Sequence, residues 1–148
     1  MRDEEEGKES PPTAPSRSEF DFVDRIRHRA LAQLKNSSLN THHSSLSLGI
    51  GDDAAVIRQL AGRDTVITTD LLVEGIDFLL GTTTPWLLGH KALAVSLSDI
   101  AAMGARPRFA LLSIGVPSTI WESDFVDELY EGFFALAETY GVALIGGD

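Results

Sequence analysis

The sequence has 148 residues with 12 basic and 22 acidic side chains, a formal net charge of −10, and no cysteine. This charge argues against non-specific nucleic-acid binding, which depends on Lys and Arg contacts to phosphates. The lack of cysteine excludes disulfides, zinc–thiolate sites and a thiol nucleophile.

Nothing in the sequence predicts a membrane segment. A membrane-spanning helix needs roughly 20 apolar residues, and Glu74 and Asp77 interrupt the apolar segment 71–80. The acidic N-terminus also has no hydrophobic signal region. We therefore expect a cytoplasmic protein that binds neither membrane nor nucleic acid.

The chain is predicted to form one domain after an N-terminal tail. Residues 1–18 combine an acidic run with Pro11, Pro12 and Pro15. A segment with this charge and little apolar surface cannot offset the entropy lost on ordering, so we predict a disordered tail. The remaining residues, 19–148, are enough for one domain with a sizeable core.

Hydrophobic periodicity predicts three helices and four strands. In chain order they are a helix at 19–35, strands at 54–57 and 65–73, a helix at 85–103, a strand at 108–116, a helix at 120–140 and a strand at 142–145. Residues 36–47 are polar and are predicted to form a loop. Thr119 and Glu122 have the spacing of a capping box. The helix at 85–103 is apolar nearly all round, which predicts burial.

Four apolar segments deliver an aspartate at or beside their ends. The segments are 49–57, 66–70, 95–99 and 144–148, and the acids are Asp52, Asp53, Asp70, Asp99 and Asp148. Burying a carboxylate without a partner costs several kcal/mol. The repetition therefore predicts a cation where the segments meet. Magnesium fits best, since it prefers the oxygen ligands that Asp and Thr offer.

Each acid taken singly also has an ordinary explanation. Asp52 and Asp53 follow a glycine and could form a turn, and Asp70 could end its strand. Asp99 lies inside an apolar helix, where an internal salt bridge to Lys91 or Arg106 would satisfy it.

Two glycine pairs could contribute backbone amides to phosphate oxygens. They are Gly49-x-Gly51 and Gly146-Gly147, and no Gly-Lys-Ser/Thr of a P-loop is present. Together with the carboxylates, these loops suggest magnesium ions that neutralise a polyphosphate.

Four ordered motifs resemble thiamine-monophosphate kinase, of the aminoimidazole ribonucleotide synthetase superfamily. They are Gly-Ile-Gly-Asp-Asp-Ala-Ala at 49–55, Thr-Thr-Asp-Leu-Leu-Val-Glu-Gly at 68–75, Leu-Ser-Asp-Ile-Ala-Ala-Met-Gly-Ala at 97–105 and Leu-Ile-Gly-Gly-Asp at 144–148. The resemblance covers about residues 20–148. It implies an α+β fold, a two-layer α/β N-terminal domain whose four-stranded sheet carries helices on one face and mediates dimerisation. The C-terminal domain of the family is absent from the sequence.

The resemblance also implies an activity, the Mg-ATP-dependent phosphorylation of thiamine monophosphate to the diphosphate by a homodimer. No protein nucleophile is expected. The implied magnesium ligands are Asp53, Thr68, Thr69, Asp70, Asp99 and Asp148. Gly147, Asp148 and Tyr130 are implied to contact ATP, although an aromatic residue on a core helix such as Tyr130 also has a packing role.

The sequence departs from the family at two positions. Asp77 stands where the family usually has a His associated with substrate contact, and Ser96 replaces the usual Asn before Leu-Ser-Asp. Two alternatives stay open, the first because of Asp77 and the second because the sequence ends at Asp148 without the C-terminal domain of the family. One is a sister ATP-dependent enzyme with another substrate, and the other is a truncated, non-catalytic dimerising fragment. The isolated 148-residue chain is predicted to be inactive as a kinase.

Overall fold

The computed structural model describes residues 18–36, 45–50, 54–59 and 61–148. The helices in this part are α1 (Glu19–Asn36), α2 (Pro85–Ala102), α3 (Ser118–Trp121) and α4 (Phe125–Tyr140). The strands are β1 (Leu46–Leu48), β2 (Val56–Ile57), β3 (Phe109–Leu111) and β4 (Ala143–Gly146). Residues 1–17, most of the predicted tail, lie outside the described residues.

Helix α1 confirms the first predicted helix. The Ser18 hydroxyl accepts a hydrogen bond from the backbone N–H of Asp21 at 3.3 Å, as an N-cap residue does. Phe22, Ile26 and Ala30 recur at helical spacing and are buried. Helix α1 therefore turns one apolar face toward the core.

Helices α2 and α4 form the centre of the domain and approach each other at two glycines. A Cβ on Gly89 would lie 1.8 Å from the carbonyl oxygen of Leu129, and a Cβ on Gly132 would lie 1.8 Å from that of Trp86. Neither distance permits a side chain, so the two helix backbones touch. Helix α4 contributes the most completely buried aromatic residues, Phe133 and Phe134.

The predicted burial of α2 on all sides is wrong. Its buried residues are Leu88, Gly89 and Leu93, which lie on one face, whereas Trp86 and Leu87 are exposed. Helix α2 begins as the sequence predicts, because Thr84 caps it by accepting from the N–H of Leu87 and a proline follows at the first helical position.

The single helix predicted at 120–140 is divided in two. The Ser123 hydroxyl donates to the carbonyl of Ile120 at 2.7 Å and accepts from the N–H of Phe125 at 3.2 Å, so it bridges the break between α3 and α4. The predicted capping box is wrong, because Thr119 lies inside α3 rather than before a helix. Gly141, with φ 65°, follows α4 in the left-handed conformation that commonly ends a helix, so α4 ends where the sequence predicts.

The predicted four-stranded sheet is wrong for the described residues. Strand β1 pairs antiparallel with β2, and β3 pairs parallel with β4 in a separate sheet. Strand β1 itself begins in the segment predicted as a loop. Residues 65–73, predicted as a strand, are assigned to no strand. Two of their side chains, Thr68 and Asp70, form hydrogen bonds to α2.

The β3–β4 pair extends beyond its named strands and carries helices. The N–H of Leu112 donates to the carbonyl of Gly146 at 3.1 Å, and that of Ile114 to the carbonyl of Asp148 at 2.6 Å. Both α1 and α4 pack on β4, whose first three residues are buried. Within the described residues, no helix has the length and hydropathy needed to cross a membrane.

Candidate functional site

Predicted ligand residues from the segment 65–73 and from α2 lie together. The Thr68 hydroxyl donates to Oδ2 of Asp99 at 2.8 Å. The Ser96 hydroxyl donates to Oδ2 of Asp70 at 2.6 Å. We call these four residues the hydroxyl–carboxylate clasp, because two hydroxyls hold two carboxylates and join residues 65–73 to the helix.

The spacing of the residues explains why the clasp forms. Thr68 and Asp70 are two positions apart, and both side chains reach α2, so they lie on the same side of their segment. Ser96 and Asp99 are three positions apart on α2, so they share one helix face. Thr68 is bonded to Asp99 and Asp70 to Ser96, so residue numbers rise along the segment as they fall along α2. The segment therefore runs antiparallel to α2.

The carboxylates of the clasp are exposed, and the prediction that they are buried is wrong. Asp70, Asp99 and Asp148 are all exposed. The salt bridge weighed for Asp99 is not formed with Lys91, whose ammonium group instead donates to the carbonyl of Asp77 at 2.5 Å. Among the described residues, Asp99 has one side-chain hydrogen bond, to Thr68, and no ion pair.

The donor set of the clasp fits a hard cation. Magnesium is usually held by one or two carboxylates together with water and substrate phosphates. Asp99 on α2 and Asp70, which is bonded to Ser96 of that helix, supply two carboxylates. In the part of the chain that the structure describes, no three His, Asp or Glu residues form a metal-binding group. Thr69 is exposed, and Asp53 lies outside the described residues.

Gly147 and Asp148 lie where the parallel β3–β4 pair ends. Gly147 has φ 142°, and a Cβ on it would lie 1.8 Å from the carbonyl of Leu112. Only glycine allows this approach, which brings the carbonyl of Asp148 to the N–H of Ile114. The exposed Asp148 side chain follows the carboxyl end of β4, the edge at which α/β sheets bind ligands. No hydrogen bond between described residues joins it to the clasp.

Asp77 closes a turn rather than projecting freely. Its Oδ2 accepts a hydrogen bond from the N–H of Val73 at 2.8 Å, while Lys91 binds its carbonyl. The N–H of Gly75 donates to the carbonyl of Phe78 at 2.8 Å. This turn borders an open hollow of about 400 Å³ that also contacts Leu79, Thr82 and Thr83. The exposed Asp77 side chain therefore has a local structural partner.

Tyr130 lies in the aromatic core, with 8% of its surface exposed. Its ring packs edge-on against Phe22 at a centroid distance of 5.4 Å and lies 6.2 Å from the ring of Phe134. Burial raises the pKa of Tyr130 from 10.0 to about 12. These contacts support the packing role.

Ser96 is the clasp residue that the sequence did not identify as a site residue. Two signals could have identified it. It lies three positions before Asp99, on the same helix face, and its hydroxyl can donate to a carboxylate.

One family model matches most of the chain. The N-terminal domain of AIR synthase related proteins matches residues 51–148. This range includes Thr68, Asp70 and Asp99, and it also includes the Gly-Gly-Asp sequence that follows β4.

Individual relatives carry a more specific name. The chain is 42% identical over 130 residues to the thiamine-monophosphate kinase of Bacillus subtilis strain 168, a match covering 88% of this chain and 37% of the relative. It is 39% identical over 138 residues to that of Corynebacterium glutamicum, covering 93% and 37%.

A crystal structure of thiamine-monophosphate kinase from Stenotrophomonas maltophilia K279a is similar in fold and sequence. The TM-score is 0.66 and the identity 40%, over 88% of this chain and 37% of that one. The resemblance inferred from the motifs is thereby confirmed. The chain spans little more than a third of the length of these relatives.

Proposed function

Because the chain belongs to the AIR synthase related protein family, we propose that it is the N-terminal part of a kinase acting on thiamine monophosphate. The reaction is the Mg-ATP-dependent phosphorylation of thiamine monophosphate to the diphosphate. The domain that binds Mg-ATP in this proposal is residues 19–148. The name shared by the relatives supports the substrate, and a cytoplasmic location stays a prediction.

The clasp is the observation that carries the proposal. It gathers Thr68, Asp70 and Asp99, three of the six proposed magnesium ligands, from segments 31 residues apart in the chain. The other proposed ligands are Asp53, Thr69 and Asp148. Bound magnesium would neutralise the charge of the nucleotide phosphates. The exposed position of the clasp leaves room for both phosphates and water.

The chain's own contribution to phosphoryl transfer is positioning and electrostatics. Asp70 and Asp99 would hold the cation, while Gly147 and Asp148 would contact ATP at the end of β4. No protein nucleophile is required, since a phosphate oxygen of the substrate would attack the γ-phosphorus of ATP while the bond to the β,γ-bridging oxygen breaks and ADP leaves. Asp77 as a substrate contact and Tyr130 as an ATP contact stay predictions, and the burial of Tyr130 favours packing.

Homodimerisation is part of the proposal and is supported by exposed apolar residues outside the core. Ile67 and Leu71 are 85% and 81% exposed on the segment that carries the clasp, and Leu111 on β3 is 67% exposed. Contiguous exposed apolar surface marks protein interfaces, and Ile67 and Leu71 lie four positions apart on one segment. The backbone of residues 65–73 is also free of any strand partner in the described part, so it could pair with a second chain.

The sister-enzyme alternative is less favoured by the position of Asp77. The carboxylate of Asp77 already accepts from the N–H of Val73. The replacement of the usual His therefore has an explanation within the turn. A non-catalytic dimerising fragment stays the other alternative.

The proposal is tested by the thermal melting of the chain with magnesium, with a non-hydrolysable ATP analogue, and with both. Ligands that bind only the folded state raise the melting temperature. We expect a rise that requires both components together. No rise under any of the three conditions would overturn the proposed nucleotide site.

Asp70→Asn is the matching variant, and it should abolish the rise. The amide keeps an oxygen that can accept from Ser96 but loses the charge that attracts the cation. Without ligand, its stability should equal or slightly exceed that of the parent, since one of several like charges is removed. Asp64→Asn is the control, because Asp64 is exposed and lies outside the clasp. A normal rise in Asp70→Asn would contradict the metal site.

A further inference from the structure

Ser96 is the one member of the clasp that is not itself a proposed metal ligand. Its hydroxyl donates to Oδ2 of Asp70 at 2.6 Å. Within the described residues, the other oxygen of that carboxylate, Oδ1, has no hydrogen-bond partner. We infer that Ser96 is a positioning residue that orients the carboxylate of Asp70 for a divalent cation. This inference rests on the proposed magnesium site.

The two partners of this hydrogen bond differ in how firmly they are held. Ser96 is half-buried on α2, one turn from the buried Leu93, and the backbone of α2 touches α4 at Gly89. Asp70 is exposed on a segment that belongs to no strand. The helix is therefore the fixed reference, and the hydroxyl transfers its position to the carboxylate.

The direction of the hydrogen bond also matters. A serine hydroxyl has one donor, and its donation to Oδ2 leaves the lone pairs of Oδ1 for a cation. The second bond of the clasp runs the other way, since Thr68 on the extended segment donates to Asp99 on the helix. Removing Thr68 would remove a proposed ligand, whereas removing the Ser96 hydroxyl leaves every proposed ligand in place.

Hydrogen-bond partners of metal ligands commonly change metal affinity by about 10- to 100-fold when mutated. For Ser96→Ala we expect at least a roughly tenfold rise in the magnesium concentration that gives half-maximal binding of the non-hydrolysable ATP analogue. Binding is measured by titration calorimetry at fixed analogue concentration with magnesium chloride as the variable. The unliganded chain is melted in parallel.

Two variants separate positioning from a general effect on folding. Ser98→Ala is the matched control, because Ser98 is an exposed serine on the same helix and, within the described residues, has no side-chain hydrogen bond. It should bind as the parent does. Ser96→Thr keeps the hydroxyl and should restore most of the lost magnesium affinity. A structural role alone would lower the melting temperature of Ser96→Ala without changing its magnesium dependence.

The outcomes distinguish this inference from the proposed function. If the parent binds the analogue with magnesium and Ser96→Ala has the same magnesium dependence, the positioning role is overturned and the site stands. If Ser96→Thr remains as weak as Ser96→Ala although it melts like the parent, the hydroxyl is not the cause. If the parent shows no magnesium-dependent binding, the proposed function fails and the inference fails with it.

Discussion

The α2–α4 pair and the segment 65–73 differ in how closely they pack. The core brings two helix backbones into contact at Gly89 and Gly132. The segment leaves Ile67 and Leu71 almost fully exposed. Among the described residues, the side-chain hydrogen bonds between this segment and α2 are the two of the clasp. A helix that touches its neighbour through the backbone and a segment that packs on the described part of the core only through the partly buried Leu72 thus share one candidate site.

A pair of leucine truncations tests this contrast with the largest expected effect. Leu93 is 5% exposed in the core and Leu71 is 81% exposed on the segment. Leu93→Ala should lower the free energy of unfolding by about 2–5 kcal/mol, since it leaves a cavity. Leu71→Ala should change it by less than about 0.5 kcal/mol. Urea denaturation of both variants is the measurement, and equal losses would remove the distinction between the two regions.

A glycine substitution examines the helix contact itself. Gly132→Ala places a Cβ against the carbonyl of Trp86, which requires the helices to separate. We expect a loss of about 1–3 kcal/mol in the free energy of unfolding, typical of overpacking. Gly81→Ala is the control, because nothing lies within 4 Å of the added Cβ. Parent-like stability of Gly132→Ala in the same urea series would show that α2 and α4 do not touch there.

Alkaline pH should change the free energy of unfolding by a smaller amount, and this change tests whether Tyr130 is buried in the core. Burial raises the pKa of Tyr130 from 10.0 to about 12 in the folded chain. Its neutral form therefore contributes stability that is complete below pH 10 and is lost as the pH rises toward 12. Over that range we expect the parent to lose roughly 1–2 kcal/mol more than Tyr130→Phe. Denaturation curves measured at several pH values would show parallel losses if Tyr130 were solvated.

Local sequence signals were sufficient for most helix boundaries and for part of the site. Ser18 before α1, Thr84 with Pro85 before α2 and Gly141 after α4 act within one helical turn, so their effect depends little on the rest of the fold. The sequence did not predict the division between α3 and α4. The hydroxyl of Ser123 forms hydrogen bonds on both sides of this break, and these bonds form in place of the capping box that the sequence suggested.

The sequence by itself determined the family, the order of the helices and the identity of Thr68, Asp70 and Asp99 as candidate ligands. These follow from short motifs and from residue chemistry. Only the tertiary structure decided which strands pair, that the carboxylates are exposed, and that Ser96 holds Asp70. The last contact joins residues 26 positions apart. Such contacts depend on how residues 65–73 lie along α2. A periodic pattern carries no information about the partner that an exposed side chain meets across the fold.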